Sequence, residues 1–560
     1  MESKFIPAQH EELLYGFWEK QKFFESSVNS KKKPFCIILP PPNANADLHL
    51  GHAMYVYEDV MIRYHKLQGH EVFWLAGADH AGIETQFVYE KHLKKEGKSR
   101  FDFDRETLYR NIWTFVMKNR DTMENQLRRL GFALDWSKKK FTMDEDIVKT
   151  VYKTFKDLHE KKLVYRANRL VNYCTSCGTS FSDLEVNDNE VEGSLYHIKF
   201  PVKQGGNIII ATTRPETYLG DVAVMVNPKD KRYKDLIGKT VLLPLINREI
   251  PIIADEYVDM KFGTGAVKVT PNHDFNDFEI AKKHNLSFPS IIGFDGKMQN
   301  TGIIDGLRVK NARVDILQKL EEGGFIDKIT PHHMVQKVCY RCSNVLEPLP
   351  KEQWFINIRP LADRAIKLVE NDEIQIHPKQ FKKQLVRILE NFIDWNISRQ
   401  IVWGIRIPAY RCVNKLRVTD HQLEKDSAWF VSTEKPARCQ ICGECAFVQD
   451  EDTFDTWFSS AQWPFATLKA AGDDFFNYFY PTAVMETGYD ILRAWVARMI
   501  MVGYFETDTV PFKHVFLHGM VRDKLGQKMS KSKGNVINPL EMIEKYGADA
   551  LRAALIFGTK

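Results

Sequence analysis

The 560-residue sequence is poor in cysteine and contains no long apolar run. Nine cysteines are too few for a disulfide scaffold in a chain of this length, and seven of them fall in closely spaced groups that indicate metal binding. No uninterrupted apolar stretch approaches the roughly 18 residues that a membrane-spanning helix needs. The N-terminal segment MESKFIPAQHEELLYGFWEK also lacks the apolar centre of a secretory signal. We therefore expect a protein of the reducing cytoplasm without a membrane partner.

Internal repeats and low-complexity tracts are absent, and neither sign of charge dominates. The 78 lysines and arginines exceed the 73 acidic residues by five, spread along the chain, which permits a polyanionic partner without requiring one. Apolar residues make up 44% and aromatic residues 12% of the sequence, enough for a sizeable packed core. At roughly 100–200 residues per domain, the length predicts about three to four folded units.

The first informative stretch has the pattern strand, loop, helix, strand. The apolar run Pro34–Leu39 predicts a buried strand, and Pro40–Pro42 cannot continue its ladder. A helical pattern follows from His52 to Leu67, and residues 71–75 predict the next strand. The apolar residues of that helix are predicted to share one face: Met54, Val60, Met61, Tyr64 and Leu67. This order predicts a βαβ unit and a parallel, nucleotide-binding α/β sheet.

The pattern changes after about residue 190. Short β-rich runs such as GGNIIIATTRP, EIPIIADEYV and GTGAVKVTP alternate with glycine, proline and aspartate. They predict a mainly β domain inserted into the α/β domain. Helical and α/β patterns resume near residue 353, a strand is predicted at 514–518 before a basic loop, and residues 539–560 are predicted to be helical.

Two segments that are far apart in the sequence carry the chemistry. His49 and His52 stand in HLGH before a predicted helix, and imidazole donors at a helix N-terminus suit a phosphate that gains charge in a transition state. Gly51 permits close approach of a ligand to the backbone. Lys528 and Lys531, in GQKMSKSKGN, are flexible point charges suited to a polyphosphate. Either motif alone usually marks a capping turn or a solvated loop, but their order and flanks argue against coincidence.

These motifs resemble the HIGH and KMSKS signatures of class I aminoacyl-tRNA synthetases, and the surrounding chain is similar to the valyl branch of that family. The resemblance covers nearly the whole chain, from about residue 36 onward. The segments that carry it are PPPNANADLHLGHA, AGADHAGIETQ, ATTRPETYLGD, GTGAVKVTPNHDFNDFE, DWNISRQIVWGIRIP, FDTWFSS, METGYDILRAWVARMIM and VRDKLGQKMSKSKGNVINP. Leucyl and isoleucyl relatives share both signatures, but ADHAGIETQ and WGIRIP favour the valyl branch. Val402 and Ile405 depart from the family's more frequent WWGHRIP.

The resemblance implies a Rossmann-type parallel-sheet catalytic domain with an inserted, mainly β editing domain and zinc knuckles. Residues 1–187 would form the first catalytic half, 188–335 the editing domain and 336–535 the second catalytic half. Residues 536–560 would begin a helical stem or anticodon-binding region, which in this family is a helical domain and usually continues into a coiled coil. Because the sequence ends soon after the KMSKS segment, we expect one of two cases. Either the chain is a fragment of a longer enzyme or of a split one with a separate anticodon-binding polypeptide, or the tRNA is held by its acceptor end alone.

The resemblance also implies roles for individual residues. His49 and His52 would stabilise the α-phosphate of ATP, and Lys528 and Lys531 would hold the departing pyrophosphate. The other implied ATP contacts are Gly51, Gly488, Asp490, His518, Gly519, Met529 and Ser530. Asp79 would bind the substrate ammonium group, and the rest of the amino-acid pocket would comprise Pro40, Pro41, Asn43, Trp457 and Ile491. Mg²⁺ would accompany the ATP phosphates.

A second, hydrolytic site is expected, because an apolar pocket rejects a hydroxylated isostere poorly. Valyl-tRNA synthetases are themselves the standard example of this limit, at about 10² against threonine. TTRPET and HDFND resemble the editing site of the family, with Asp277 on the aminoacyl ammonium group. The implied editing residues are Thr212, Thr213, Arg214, Lys268, Asp274 and Asp277. Tyr218 and Asn272 depart from the family's usual Met and Ala.

The cysteine pairs Cys174/Cys177 and Cys339/Cys342 are each a zinc half-knuckle. The expected insertion lies between them, and inserted domains have neighbouring termini, so the four thiolates would hold one structural Zn²⁺ at its root. Two unrelated pairs of packing thiols are the alternative. A second candidate zinc group consists of Cys412, Cys439, Cys442 and Cys445, where Lys415 replaces a cysteine that zinc-binding relatives carry.

The implied activity is ATP-dependent activation of valine and its transfer to tRNA(Val), with hydrolytic editing of threonyl-tRNA. Three alternatives remain: a short paralogue that binds or edits tRNA, a ligase that loads a non-tRNA carrier, and an enzyme of isoleucyl or leucyl specificity. Both signature motifs are intact, which favours activation, since a protein that only edits need not keep both.

Overall fold

The structure is a computed structural model that describes residues 6–412, 429–439, 446–523, 525–527, 529, 535 and 537–558. It divides into two compact units, one made of Met1–Tyr165 and Trp354–Lys560, the other of Arg166–Gln353. The second unit begins earlier and ends later in the sequence than the insertion expected at 188–335. None of the helices that the structure describes combines the length and the apolar character needed to cross a bilayer.

The first part of the chain alternates helices and strands, and a 3₁₀ helix at Leu50–Tyr55 leads directly into α2. The elements are α1 (Pro7–Lys20), β1 (Pro34–Ile38), α2 (Val56–Leu67), β2 (Glu71–Ala78), α3 (Gly82–Lys95), α4 (Arg105–Arg129), β3 (Asp135–Phe141) and α5 (Glu145–Glu160). The βαβ unit expected from the sequence is therefore confirmed.

The apolar face predicted for residues 54–67 is wrong at Val60, Tyr64 and Leu67, although Met54 is buried and Met61 packs against the core. Tyr64 and Leu67 are 57% and 88% exposed, whereas Glu58 and Asp59 are among the buried residues of this helix. Asp59 is compensated by an ion pair with Arg63 at 2.7 Å. The periodicity of apolar residues failed here because two acidic side chains occupy buried positions.

The second unit consists mainly of β-strands, as the sequence predicts. Its elements, with the two strands in which the chain enters and leaves it, are β4 (Val164–Cys174), β5 (Thr179–Phe181), β6 (Val186–Pro201), β7 (Asn207–Thr212), β8 (Ala223–Val226), β9 (Thr240–Leu242), β10 (Glu249–Ala254), β11 (Ala266–Val269), α6 (Phe275–Lys283), α7 (Val309–Glu322), β12 (Ile326–Cys339) and β13 (Glu347–Ile356). One sheet has the order β11-β8-β10-β9 and another the order β12-β6-β7. Their inward side chains build one apolar core that includes Ile198, Val224 and Ile252.

The remaining chain returns to the first unit. Its elements are α8 (Arg359–Glu370), β14 (Gln375–His377), α9 (Gln380–Glu390), β15 (Trp395–Asn396), β16 (Ser398–Arg399), β17 (Ala409–Cys412), β18 (Trp429–Val431), β19 (Phe447–Gln449), β20 (Thr453–Phe454), α10 (Thr456–Ser460), α11 (Trp463–Ala471), α12 (Asp473–Phe479), β21 (Thr482–Gly488), α13 (Ala497–Thr507), β22 (Phe512–His518), α14 (Pro539–Tyr546) and α15 (Ala548–Phe557). The strand predicted at 514–518 and the helical end of the chain are confirmed.

The first unit is organised around a six-stranded sheet of order β14-β22-β21-β1-β2-β3, in which all neighbours are parallel. Alternate strand residues enter two separate cores: Ile38 and Leu75 belong to one, Ile37 and Trp74 to the other. A parallel sheet buried on both faces is the arrangement predicted from the βαβ pattern. The chain order reverses between β1 and β21, and such a reversal opens a crevice at the carboxyl ends of the strands.

Candidate active site

The residues expected to bind ATP and the amino acid follow four neighbouring strands of the six-stranded sheet. Pro40 and Pro41 come after β1, Asp79 after β2, while Gly488 ends β21 and His518 ends β22. Gly488 and His518 are direct partners in the β21–β22 ladder. Because carboxyl ends of parallel strands share one edge, the structure gathers these distant residues at the crevice beside β1 and β21.

The HLGH segment forms a 3₁₀ helix that its own histidines cap. His49 Nδ1 accepts a hydrogen bond from the Gly51 N–H at 3.1 Å, and His52 Nδ1 accepts one from the His49 N–H at 3.1 Å. The two ring centroids are 4.0 Å apart. Since both Nδ1 atoms accept, each neutral ring carries its proton at Nε2. The capping arrangement thus provides two adjacent imidazole N–H donors.

Gly51 is required by the packing of this 3₁₀ helix. A Cβ at residue 51 would lie 2.8 Å from Cε1 of His49, so a larger residue would displace that ring. The Leu50 N–H donates to the carbonyl of Ile537 at 3.1 Å, which brings HLGH against the chain just beyond KMSKS. Lys528, Ser530 and Lys531 lie outside the described residues, and Met529 is half-buried.

Asp79 is a buried carboxylate surrounded by hydrogen-bond donors. Its Oδ1 accepts from the Ala81 N–H at 2.9 Å and from the Thr142 hydroxyl at 3.2 Å, and its Oδ2 accepts from the Ser460 hydroxyl at 3.0 Å. His80 Nδ1 lies 3.1 Å from Oδ1. Burial by itself would raise the pKa of Asp79, but the contacts with His80, Ala81 and Ser460 outweigh it and lower that pKa. Among the described residues no lysine or arginine pairs with Asp79, so its negative charge suits a cationic group of a ligand.

The proposed amino-acid pocket is assembled from both halves of the first unit. Helix α10 carries Ser460, which contacts Asp79, and also Trp457, which is half-buried. Trp457 and Ile491 pack against the same hydrophobic core. Pro40 accepts a hydrogen bond from Tyr55 at 3.0 Å, and Asn43 donates to Glu84 at 2.6 Å.

The end of the crevice that is expected to bind the nucleotide is formed after β21 and β22. A Cβ at Gly488 would lie 2.6 Å from Oδ1 of Asp490, so a larger residue would displace that carboxylate. His518 Nδ1 is 2.7 Å from the carbonyl oxygen of Gly519. Burial lowers the pKa of His518, and a neutral ring must donate its Nδ1–H to that oxygen. Asp490 and Gly519 are exposed at this edge.

The expected editing residues come together in the second unit. Asp274 caps α6 by accepting from the N–H groups of Asn276 and Asp277 at 2.8 and 3.1 Å. Asp277 Oδ2 accepts from the Thr270 N–H at 2.8 Å. Lys268 contacts the Thr270 hydroxyl and lies 3.4 Å from Asp221. A lysine, a hydroxyl and carboxylates thus converge beside β11.

The expected editing segment that follows β7 is fixed by hydrogen bonds and charge. Thr212 Oγ1 accepts from the Arg214 N–H at 3.0 Å, and Thr213 is half-buried beside it. The Arg214 guanidinium pairs with Glu216 at 3.1 Å and with Glu347. These contacts leave the Thr212–Arg214 backbone in one defined conformation next to the end of β7.

Burial alters the titration of this second site. It raises the pKa of Asp277 to about 7, with the negative charge of Asp274 adding to the effect. Burial also raises the pKa of Asp221 to about 6 although Lys268 opposes it, and lowers the pKa of His273 to about 3. Perturbed values of this size are typical of functional sites.

Four cysteines form a candidate metal centre in the second unit. Their Sγ atoms all lie within 4.8 Å of one another, and three measured separations are 3.5, 3.6 and 3.9 Å. Tetrahedral Zn²⁺ with Zn–S bonds of about 2.3 Å requires sulfur separations of about 3.8 Å, so the donor set and its geometry fit this ion. The residues are Cys174, Cys177, Cys339 and Cys342.

The second cysteine group is described only in part. Cys412 and Cys439 are buried and share a small core with Tyr410 and Phe447. Cys442 and Cys445 lie outside the residues that the structure describes.

Several residues at both sites were not anticipated from the sequence. Thr142 and Ser460 stand 63 and 381 residues from Asp79, so no local spacing could reveal them as its donors. Asp221 likewise reaches Lys268 only through the tertiary fold, whereas Thr270 follows Lys268 by two residues and contacts it locally. Ser460, Asp221 and Thr270 lie in the family-like segments FDTWFSS, ATTRPETYLGD and GTGAVKVTP, respectively. Thr142 lies in no such segment, so no feature of the sequence indicated its role.

Comparisons with known proteins agree with this arrangement. The family model "tRNA synthetases class I (I, L, M and V)" matches residues 13–560. Valine–tRNA ligases of Syntrophotalea carbinolica and Thermotoga maritima are 46% and 44% identical over 98% and 99% of the chain. The chain spans 60% and 63% of the lengths of these relatives. A solved LeuRS–tRNA–LeuAMS ternary complex from Agrobacterium radiobacter is similar in fold, with a TM-score of 0.54 at 19% identity, over 100% of this chain and 73% of that one.

The parallel sheet, the two signature segments and the family match over nearly the entire chain lead to one assignment. The chain belongs to the class I tRNA synthetases of the isoleucyl, leucyl, methionyl and valyl group, and it is similar to valine–tRNA ligases.

Proposed function

We propose that this chain catalyses ATP-dependent activation of valine and its transfer to tRNA(Val). The observation that carries the proposal is that Asp79, at the carboxyl end of β2, pairs with Asn43 in the loop that leads from β1 into the HLGH 3₁₀ helix. A carboxylate there suits an ammonium group, and the imidazole donors suit a phosphate. The 46% identity to a valine–tRNA ligase supports valine as the amino acid.

In this proposal the valine carboxylate attacks the α-phosphorus of ATP, and pyrophosphate leaves. Asp79 binds the valine ammonium group, while Pro41, Trp457 and Ile491 limit the size of the side-chain pocket. His49 and His52 donate through Nε2 to the α-phosphate as its charge grows. Catalysis therefore depends on positioning and electrostatic stabilisation, and no protein nucleophile is needed.

The nucleotide and the departing pyrophosphate involve the other end of the crevice. Gly488 and Asp490 contact the ribose, and His518 and Gly519 lie beside the adenine. Lys528 and Lys531 of the KMSKS segment, with Met529 and Ser530, hold the pyrophosphate, and Mg²⁺ enters as the ATP complex. The aminoacyl group then passes from the adenylate to the terminal ribose of tRNA.

We further propose that the second unit hydrolyses threonyl-tRNA. Asp277 binds the aminoacyl ammonium group, with Asp274 and Lys268 beside it, and Thr212–Arg214 contact the terminal ribose. The convergence of these groups beside β11 supports the proposal. An editing site complements the first pocket, because threonine and valine have nearly the same shape.

Structural Zn²⁺ is proposed for the Cys174, Cys177, Cys339 and Cys342 centre, whose donors fit it. Four thiolates leave no open coordination position, so the ion stabilises the fold and takes no part in the reaction. The thiolate chemistry and the cysteine usage support a reducing, cytoplasmic location.

Valine-dependent exchange of pyrophosphate into ATP tests the activation step. We expect exchange with valine, weaker exchange with threonine, and little with leucine or isoleucine. No exchange at saturating valine would overturn the proposal and would favour a paralogue that only binds or edits tRNA. If exchange occurs, charging of purified tRNA(Val) separates tRNA transfer from loading of another carrier.

A further inference from the structure

A buried pair of acidic residues lies beneath the nucleotide end of the central sheet. Glu58 on α2 and Glu486 on β21 are 0% and 1% exposed, and Glu486 precedes Gly488 by two residues. In the described part of the chain, no lysine or arginine pairs with either carboxyl. Two buried, uncompensated carboxylates side by side would be strongly unfavourable, so the pair keeps at least one proton at neutral pH.

The hydrogen bonds around the pair are incomplete. Trp74 donates its indole N–H to Glu58 Oε2 at 2.5 Å. Apart from the contact between the two glutamates themselves, Glu58 Oε1 and both carboxyl oxygens of Glu486 have no hydrogen-bond partner among the described residues. Glu486 Oε1 nevertheless lies 3.6 Å from Nε2 of His518.

The tautomer of His518 determines whether a protonated or an ionised Glu486 is favourable beside it. Its Nδ1–H donates to the Gly519 carbonyl at 2.7 Å, so Nε2 of the neutral ring presents a lone pair to Glu486. A carboxylate oxygen at that position would repel the lone pair. A protonated Glu486 would instead donate a hydrogen bond to this lone pair. The 3.6 Å between Glu486 Oε1 and His518 Nε2 is longer than a hydrogen bond, so a small rotation of the carboxyl group is required.

We propose that Glu486 is a positioning residue of the nucleotide site, which in its protonated form, supported by Glu58, donates to Nε2 of His518 and fixes that ring against Gly519. The ligand identity, ATP, rests on the function proposed above. The effect of Glu486 is indirect, since it acts through the orientation of His518. If Glu486 loses its proton, or is replaced by a residue that cannot donate a hydrogen bond, the His518 ring is free to adopt the other tautomer.

The surroundings favour a retained proton. Burial raises the pKa of Glu486 and outweighs the hydrogen bond with Glu58, which lowers it. Burial together with the charge of Glu486 raises the pKa of Glu58. The other titratable groups that face the pair and His518 are Tyr55 from the 3₁₀ helix, whose pKa burial raises, Tyr57 of α2, whose ring stacks on that of His518 with 6.5 Å between centroids, and the acidic Asp490 after β21. None of these groups supplies a positive charge that would favour ionisation.

Kinetics of pyrophosphate exchange as a function of pH test the proposal. In the wild type, we expect the KM for ATP to rise by about tenfold as the pair ionises at alkaline pH. A change of about tenfold corresponds to the loss of one hydrogen bond. The KM for valine should stay level. Glu486→Gln keeps a permanent donor and should retain the low KM without the alkaline rise. Glu486→Val should show the raised KM for ATP at every pH.

Glu506→Gln is the matched control, because Glu506 is a buried glutamate of the same unit that pairs with Lys153 at 3.3 Å instead. Its pH profile should equal that of the wild type. The proposal is overturned if Glu486→Gln and Glu486→Val both reproduce the wild-type KM for ATP and its pH profile.

Nitrogen NMR of histidine-labelled protein separates this proposal from the proposed activity. Without any substrate, His518 should carry its proton at Nδ1 in the wild type and in Glu486→Gln, and should show a mixture of tautomers in Glu486→Val. If the three proteins show these tautomers but the wild type has no pyrophosphate exchange activity, the positioning role of Glu486 is supported and the proposed activation of valine is contradicted. An unchanged His518 tautomer in all three proteins would overturn the positioning role.

Discussion

At the scale of single residues, two buried aspartates with the same expected ligand differ in their electrostatics. Asp79 is surrounded by donors that lower its pKa despite burial. Asp277 accepts one backbone N–H and lies beside the negative Asp274, so its pKa rises to about 7. Both are proposed to bind an ammonium group, but only Asp79 is ionised over the whole neutral range. The two sites should therefore respond differently to pH and to loss of a donor.

Removing one donor to Asp79 should weaken valine binding selectively. Ser460→Ala removes the hydroxyl that lies 3.0 Å from Asp79 Oδ2 and 2.6 Å from the Thr456 carbonyl. About 1 kcal/mol for its contact with Asp79 predicts a KM for valine raised by about fivefold with the KM for ATP unchanged. Ser460→Thr should restore most of the loss. Ser459→Ala is the control, because Ser459 shares the Thr456 carbonyl with Ser460 but does not contact Asp79 among the described residues. Equal effects of Ser460→Ala on both substrates in exchange kinetics would contradict the role.

Hydrolysis of threonyl-tRNA should increase as pH rises through about 7. An ammonium group needs the ionised Asp277, and the ionised fraction grows as pH passes its raised pKa. Asp277→Asn should hydrolyse threonyl-tRNA slowly at every pH and activate valine normally, which deacylation and exchange assays measure on the same preparation. A pH-independent wild-type rate, or full hydrolysis by Asp277→Asn, would exclude this assignment.

At the scale of elements, sequence patterns predicted what is local. The strand–loop–helix–strand unit, the β-rich second unit and the helical end of the chain follow from apolar periodicity and turn residues. The α2 face was predicted incorrectly because the buried Glu58 and Asp59 have partners elsewhere in the chain. Glu58 accepts from Trp74, and Asp59 contacts the Ala133 N–H and Arg552. For the same reason HLGH was recognised by its residues, but the reciprocal capping by His49 and His52 required the structure.

The capping of the HLGH 3₁₀ helix predicts a steric requirement at residue 51. Gly51→Ala places a Cβ 2.8 Å from the His49 ring, which should displace that imidazole and lower the exchange rate by about a hundredfold, as for loss of one transition-state donor. The melting temperature should change little, because the residue is half-buried. Gly16→Ala in α1, where a Cβ meets nothing within 4 Å, should leave the rate unchanged. A fully active Gly51→Ala would refute this account of the motif.

At the scale of the whole molecule, one unit carries the proposed activation site and the other carries the proposed editing site and the four-cysteine centre. The chain order around β1 and β21 explains why residues separated by more than 400 positions in sequence meet at one crevice. The family match and the two intact signatures were expected from the sequence. The range of residues in the second unit, which includes both cysteine pairs, was not expected from the sequence. The bounds of a compact unit depend on packing, which no motif encodes.

The cysteine centre predicts one bound Zn²⁺ that the second unit needs. Cys339→Ser should remove one equivalent of zinc from the purified protein and lower the thermal stability of the second unit, since metal binding and folding are coupled. Cys36→Ala is the control, because Cys36 packs alone in the core of the first unit. Zinc content by elemental analysis together with thermal unfolding makes the measurement. An unchanged zinc content in Cys339→Ser would rule out this centre.

The most direct test of the proposed function is valine-dependent pyrophosphate exchange measured in three proteins: the wild type, Asp79→Asn and Asp277→Asn. The arrangement of the two units predicts robust exchange in the wild type and in Asp277→Asn, and a loss of at least about a hundredfold in Asp79→Asn, because that carboxylate is the one proposed to bind the valine ammonium group. Exchange that is absent from the wild type, or that persists in Asp79→Asn, would contradict the assignment.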